Sequence, residues 1–194
     1  AATVAQTEAG SQLTLPANGL DVLADHVSLQ GVTVTSARTA QSRDADGLVV
    51  NATHGISIAG DVSVNANEAL ISLHNSSVGA VVATGALSVT GSSFAAIRAD
   101  NAQGALRLGQ AQVSQSGGIS VGGPVSVTAG VGSIALDAGL GSSAGSVVVG
   151  GLLSVTSTRA QTGDAAVSIQ GGALNLGGIL VNGVRNAGVV LHGA

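Results

Sequence analysis

In the stretch GALSVTGSSFAAIRAD, residues 85–100, Leu87, Val89, Ala95 and Ile97 can face one way while Ser88, Thr90, Ser92 and Arg98 face the other. This is the two-residue period of a strand, met twice across a small polar corner. The pattern recurs along the chain. HVSLQGVTVTS (26–36), GISIAGDVSVNA (55–66), AVVATGALSVTG (80–91), GISVGGPVSVTA (118–129), SVVVGGLLSVTS (146–157) and ALNLGGILVNGV (173–184) each hold two alternations around a corner. A third alternation follows each copy: GLVVN (47–51), ALISLH (69–74), AAIRAD (95–100), SIALD (133–137), AVSIQ (166–170) and GVVLH (188–192).

Three short strands per repeat, with corners between, predict an all-β right-handed parallel β-helix, or β-solenoid, of roughly seven coils forming one domain over residues 1–194. Aligning on the inward residue that opens the second strand gives Val32, Val62, Leu87, Val125, Leu153 and Leu180. The step from Leu87 to Val125 exceeds one coil, and ALRLGQAQVSQSG (105–117) is expected to supply an additional, irregular coil there. Longer excursions are expected at 36–46 and 157–164, where VTSARTAQSRDA and VTSTRAQTGDA share residues in the same order. The terminal alternation NAGVVLHGA lacks a charged residue in its strand, so an open apolar edge is expected there, with Val190 in the contact.

The phrases GALSVTG and GGISVGGPVSVTAG resemble the rod repeats of filamentous haemagglutinin-like, two-partner-secreted bacterial adhesins. That resemblance spans most of the chain and implies a secreted or cell-surface solenoid. It carries no catalytic signature, and the Asn-Pro motifs of the secretion domain that begins such adhesins have no counterpart here.

Composition narrows the interior and the surface. The chain has 194 residues, 45% of them hydrophobic, yet its one aromatic residue is Phe94. Ala, Val, Leu and Ile must therefore fill a narrow, layered core. Charged residues make up 8%, against about a quarter in ordinary domains, so the surface is mostly small and polar. Net charge is −4 with no Lys, which leaves no basic stripe for nucleic acid. No apolar run is long enough to span a bilayer, and the opening AATVAQTEAG reads as a mature terminus left after cleavage. Without Cys or Lys, neither a disulfide nor a Lys-Asn isopeptide bond can form.

Two rows of polar residues are candidate sites. The outward file of the second strand holds Thr33, Thr35, Ser63, Asn65, Ser88, Thr90, Ser126, Thr128, Ser154 and Thr156. A flat double file of small hydroxyls suits packing against another rod or ordering water at a surface such as ice, although Ser and Thr are also ordinary strand residues. The third strand ends in a column of Asn51, His74, Asp100, Asp137, Gln170 and His192. His74 and Asp100 would be neighbours able to share a proton or a metal, but corner residues commonly just bond one another. DADG (44–47) is a fragment of an acidic calcium loop without the remaining ligands. Asn51-Ala-Thr53 and Asn75-Ser-Ser77 match the glycosylation pattern.

A polysaccharide-acting enzyme on this scaffold would want aromatic platforms and paired carboxylates. Phe94 stands alone, and the Asp residues of the two excursions, Asp44 and Asp46 in one and Asp164 in the other, are expected several coils apart. The expectation is therefore a non-enzymatic structural or adhesive solenoid, with no catalytic residues, metal or cofactor. The alternatives are an ice- or surface-binding protein and, less favoured, the enzyme. Expected partners are further copies of the chain, head to tail and side by side, and host or surface glycans; nucleic acid and a membrane span are not expected.

Overall fold

The computed structural model describes residues 20–24, 26–36, 46–76, 79–101, 118–139, 144–159, 165–183 and 188–193. These form fifteen strands and no helix, and all the strand pairs are parallel. The result is a solenoid-like parallel β fold made of three ladders. The first joins β2 (Val27–Thr35) through 27–30, β4 (Ile56–Asn75) through 56–59, β5 (Val81–Ala83), β7 (Ile119–Val121), β10 (Val147–Val149) and β13 (Leu174–Leu176). The second joins 32–35 of β2, 62–66 of β4, 87–91 of β6 (Leu87–Asp100), β8 (Val125–Ala129), β11 (Leu153–Ser157) and β14 (Ile179–Asn182). The third joins β1 (Leu20–Ala24), β3 (Asp46–Ala52), 69–75 of β4, 94–100 of β6, β9 (Val131–Asp137), β12 (Val167–Gly171) and β15 (Val189–Gly193).

Parallel strands placed one repeat apart put like residues over like. In the second ladder Val32, Val62, Leu87, Val125 and Leu153 are stacked in register, and two positions on so are Val34, Val64, Val89, Val127 and Val155. All ten are at most 4% exposed, and they belong to one continuous aliphatic core with the inward residues of the other ladders. Branched side chains suit this stacking because each fills the gap left by the one above it, without a ring that would force the faces apart. Phe94 sits instead at the second corner, between Glu68 and Val131, and is only partly buried.

The three corners differ in tolerance. Between the first and second strands the link is 30–31 in the first repeat, three residues in each of the next four, and 177–178 in the sixth. This corner is tight because backbones meet there. A Cβ added at Gly150 would stand 2.5 Å from the Gly122 carbonyl oxygen, and one at Gly177 would stand 2.6 Å from that of Gly151. Glycine at these positions is thus what lets one corner stack closely on the next.

The shortened sixth corner corrects the alignment read from sequence. Ile179, not Leu180, lies against Leu153; Leu180 lies beside Ser154, points outward and is 55% exposed. With three successive apolar residues, Ile179-Leu180-Val181, parity alone could not choose between the two registers. Val190 is likewise outward, beside Ser168, whereas Val189 and Leu191 align with buried Val167 and Ile169. Further along, the third repeat is paired directly with the fourth on every ladder, so no layer lies between them. Residues 105–117, expected to add a coil there, lie outside the described residues, as do 37–45 and 160–164 of the two other excursions.

Two substitutions test this packing. Leu87→Ala should lower unfolding free energy by about 2–5 kcal/mol in a denaturant titration, since Leu87 is 0% exposed between two neighbours in its stack. Gly150→Ala should cost about 1–3 kcal/mol through displacement of the adjoining corner, and a neutral result would show that the corner has slack.

Candidate functional site

The outward file follows from the same register. Thr33, Ser63, Ser88, Ser126 and Ser154 form one row, and Thr35, Asn65, Thr90, Thr128 and Thr156 the next. Successive members are therefore separated by the parallel-strand spacing, about 4.8 Å. Ser88 Oγ donates to Ser63 Oγ at 3.5 Å, so this neighbouring contact is long. The rows end where the sixth repeat substitutes Leu180 and Asn182.

The column closing the third strand is also continuous. Asn51, His74, Asp100, Asp137, Gln170 and His192 pair in that order across six adjacent strands of the third ladder. His74 Nδ1 lies 3.2 Å from Asp100 Oδ2, with the two side chains 43% and 45% exposed. Asp137 Oδ1 accepts from Gln170 Nε2 at 3.2 Å and from the Gly139 amide at 2.8 Å. The column thus spends its polar groups along itself and on its own turn. At that exposure a His–Asp contact contributes little to stability, because water competes for both partners. Among the described residues no group of three or more His, Cys, Asp or Glu side chains is placed to hold a metal ion.

One position further on, the structure shows a polar pair that the outward rows do not reveal. Asn75 and Asn101 are both 0% exposed, and Asn75 Nδ2 donates to Asn101 Oδ1 at 2.8 Å. Asn75 Oδ1 accepts from the Gly55 amide at 2.9 Å, while Asn101 Nδ2 donates to the Gly118 carbonyl at 2.7 Å and to that of Gly79 at 3.1 Å. A primary amide offers both donors and an acceptor, so it can satisfy backbone groups that a turn would otherwise bury without partners. The adjacent pairs His74-Asn75 and Asp100-Asn101 were the available signal: an Asn at the same step in consecutive repeats. The sequence pattern at Asn75-Ser-Ser77 therefore marks a buried, hydrogen-bonded amide, whereas Asn51 is partly exposed.

Acidic DADG resolves in part. Asp46 is 6% exposed and accepts a hydrogen bond from Ser36 Oγ at 2.5 Å across the base of the first excursion; Asp44 and Asp164 lie outside the described residues. At the corresponding place in the fifth repeat, Ser157 Oγ accepts from the Gly132 amide at 3.0 Å.

The buried pair and the exposed column should respond differently to truncation. Asn75→Ala leaves the Gly55 amide and Asn101 Oδ1 without this partner and should cost about 1–3 kcal/mol. His74→Ala, one residue away on the exposed side, should change stability by no more than about 0.5 kcal/mol. Paired thermal melts of the two variants check the contrast.

No family model matches the chain, and comparison with curated proteins and with solved structures gives no match.

Proposed function

We propose that the chain is a length of non-enzymatic, extracellular structural or adhesive rod, wound as a right-handed parallel β-helix of about seven turns. The observation that carries this reading is the state of the sixth repeat. Each of β13, β14 and β15 has one ladder neighbour among the described strands. Their inward residues are not enclosed: Leu174, Leu176, Ile179 and Val181 are partly buried, and Val189 and Leu191 are 44% and 46% exposed. The equivalent residues one repeat earlier, Val147, Val149, Leu153, Val155, Val167 and Ile169, are at most 1% exposed. A parallel layer of this kind is a template for another, because its unused amide and carbonyl groups and its aliphatic face fit the next copy of the same pattern.

In this reading that layer is covered by a further layer of the same pattern, which for the 194-residue chain alone in solution a second copy supplies head to tail. The low charge and the flat hydroxyl rows favour lateral contact between rods as well. The resemblance to adhesin rods agrees with a cell-surface setting.

A second reading rests on the in-register Thr and Ser rows, whose regular spacing suits an ordered water layer, as on ice.

Sedimentation and negative-stain imaging of the 194-residue chain over a wide concentration range test the first reading. Association should rise with concentration and be lost in Leu191→Lys, which sets a charge on the open inward face. A strictly monomeric chain that shows thermal hysteresis would favour the second reading instead. A left-handed winding in a density map would refute the proposed architecture.

A further inference from the structure

A stack that sets like residues over like has more than one good alignment. The fourth repeat is nearly a copy of the second: Ile119, Val125, Ile134 and Leu136 stand at the steps where the second has Ile56, Val62, Ile71 and Leu73. The outward row repeats as well, with Ser63, Ser88 and Ser126 in line. Second-repeat strands laid directly on fourth-repeat strands would therefore keep the aliphatic pattern, whether within one chain or between two. Alternation fixes which residues face inward, but it does not fix which repeat meets which.

One buried column breaks this degeneracy. At the step after the polar column of the third strand, the first five repeats carry Ala52, Asn75, Asn101, Ala138 and Gly171 in turn, so that a polar side chain stands there in the second and third alone. Ala52 and Ala138 are at most 2% exposed, and both Asn residues are 0% exposed. The amides complete each other, since Asn75 Nδ2 donates to Asn101 Oδ1 at 2.8 Å, and together they bond the backbone of Gly55, Gly79 and Gly118 on three successive turns. Set against Ala138 instead, Asn75 would lose the Asn101 acceptor inside the core and face a methyl group. Burying an amide without its partner is costly, whereas exchanging one aliphatic layer for a like one is not.

We propose that Asn75 and Asn101 form a register key, a buried amide pair that admits the second and third repeats as neighbours and rejects alignments that the aliphatic layers would accept. A single buried Asn fixes the alignment of coiled-coil helices in the same manner, at some loss of stability. The key matters most while repeats are still unpaired, when a strand of another copy competes for the same aliphatic face. It acts between interior residues and does not depend on what covers the sixth repeat.

The chain has no Cys, so introduced pairs report the alignment in the full 194-residue protein. Ser63→Cys with Ser88→Cys marks native neighbours, because parallel strands about 4.8 Å apart lie within disulfide reach. Ser63→Cys with Ser126→Cys marks slipped ones: these positions are two strands apart, roughly 9.6 Å, and can bridge only where the third repeat is skipped. Each pair is refolded from denaturant and oxidised, in the parent and in Asn75→Ala/Asn101→Ala, and the disulfides are mapped by mass spectrometry. Loss of the key should raise the slipped bridge, within and between chains, at least about fivefold and lower the native one. Asn101→Ala, which keeps the bond between Asn75 Oδ1 and the Gly55 amide, is the milder change and should raise it too. Leu153→Ala removes buried apolar volume from the fifth repeat without touching the key, and should leave the slipped bridge at the parent level. The proposal is overturned if the slipped bridge stays at the parent level in either Asn variant, or rises equally in Leu153→Ala. It is overturned as well if neither Asn variant regains the parent's sheet circular dichroism, since the stack should still form without the key, in mixed alignment.

Discussion

The approach of one glycine corner to the next sets the geometry on which everything else rests. At Gly122 and Gly150 a backbone oxygen comes within 2.5 Å of the place a Cβ would occupy, so these positions of the corner admit no side chain. A corner of three residues in the second to fifth repeats delivers each second strand to the same register, which stacks Val and Leu over Val and Leu. The interior then closes without aromatic residues, because each layer needs only to match its neighbours. Outward rows and columns are by-products of the same alignment. Their regularity is not in itself evidence of selection for a ligand.

This explains what the sequence made legible. Alternation and the recurring Gly-Gly corner specified the interior residues from Val62 to Val155 and the order of both polar rows, since each inference used only parity and repeat spacing. It failed where parity is degenerate. Ile179-Leu180-Val181 reads equally well in two registers, and only the shorter corner at 177–178 decides between them. Val189-Val190-Leu191 is degenerate for the same reason, and it is Val189 and Leu191, not Val190, that align with the inward residues of the ladder.

Asn75 and Asn101 are hidden in the sequence on different grounds. A polar residue at a turn is ordinarily taken to face water. Here the turn itself is enclosed by the repeats above and below it, so its amides need an internal partner, and Asn is small enough to reach them. Conversely, the exposed pair His74–Asp100 has geometry without enclosure. A candidate site on such a rod requires both, and among the described residues the two qualities fall on adjacent positions of the chain rather than on the same one.

The partly covered sixth repeat has a consequence for how the molecule comes apart. In a stack where every layer is coupled only to the layers beside it, cohesion behaves as a row of nearest-neighbour couplings. Among the described residues an internal repeat is paired on both sides, whereas β13, β14 and β15 pair only with β10, β11 and β12, and β1 and β2 only with β3 and β4. In the 194-residue chain thermal opening therefore starts at the outer layers. It begins as fraying there and advances inward repeat by repeat. Amide protection should grade along the rod instead of reporting a single global transition.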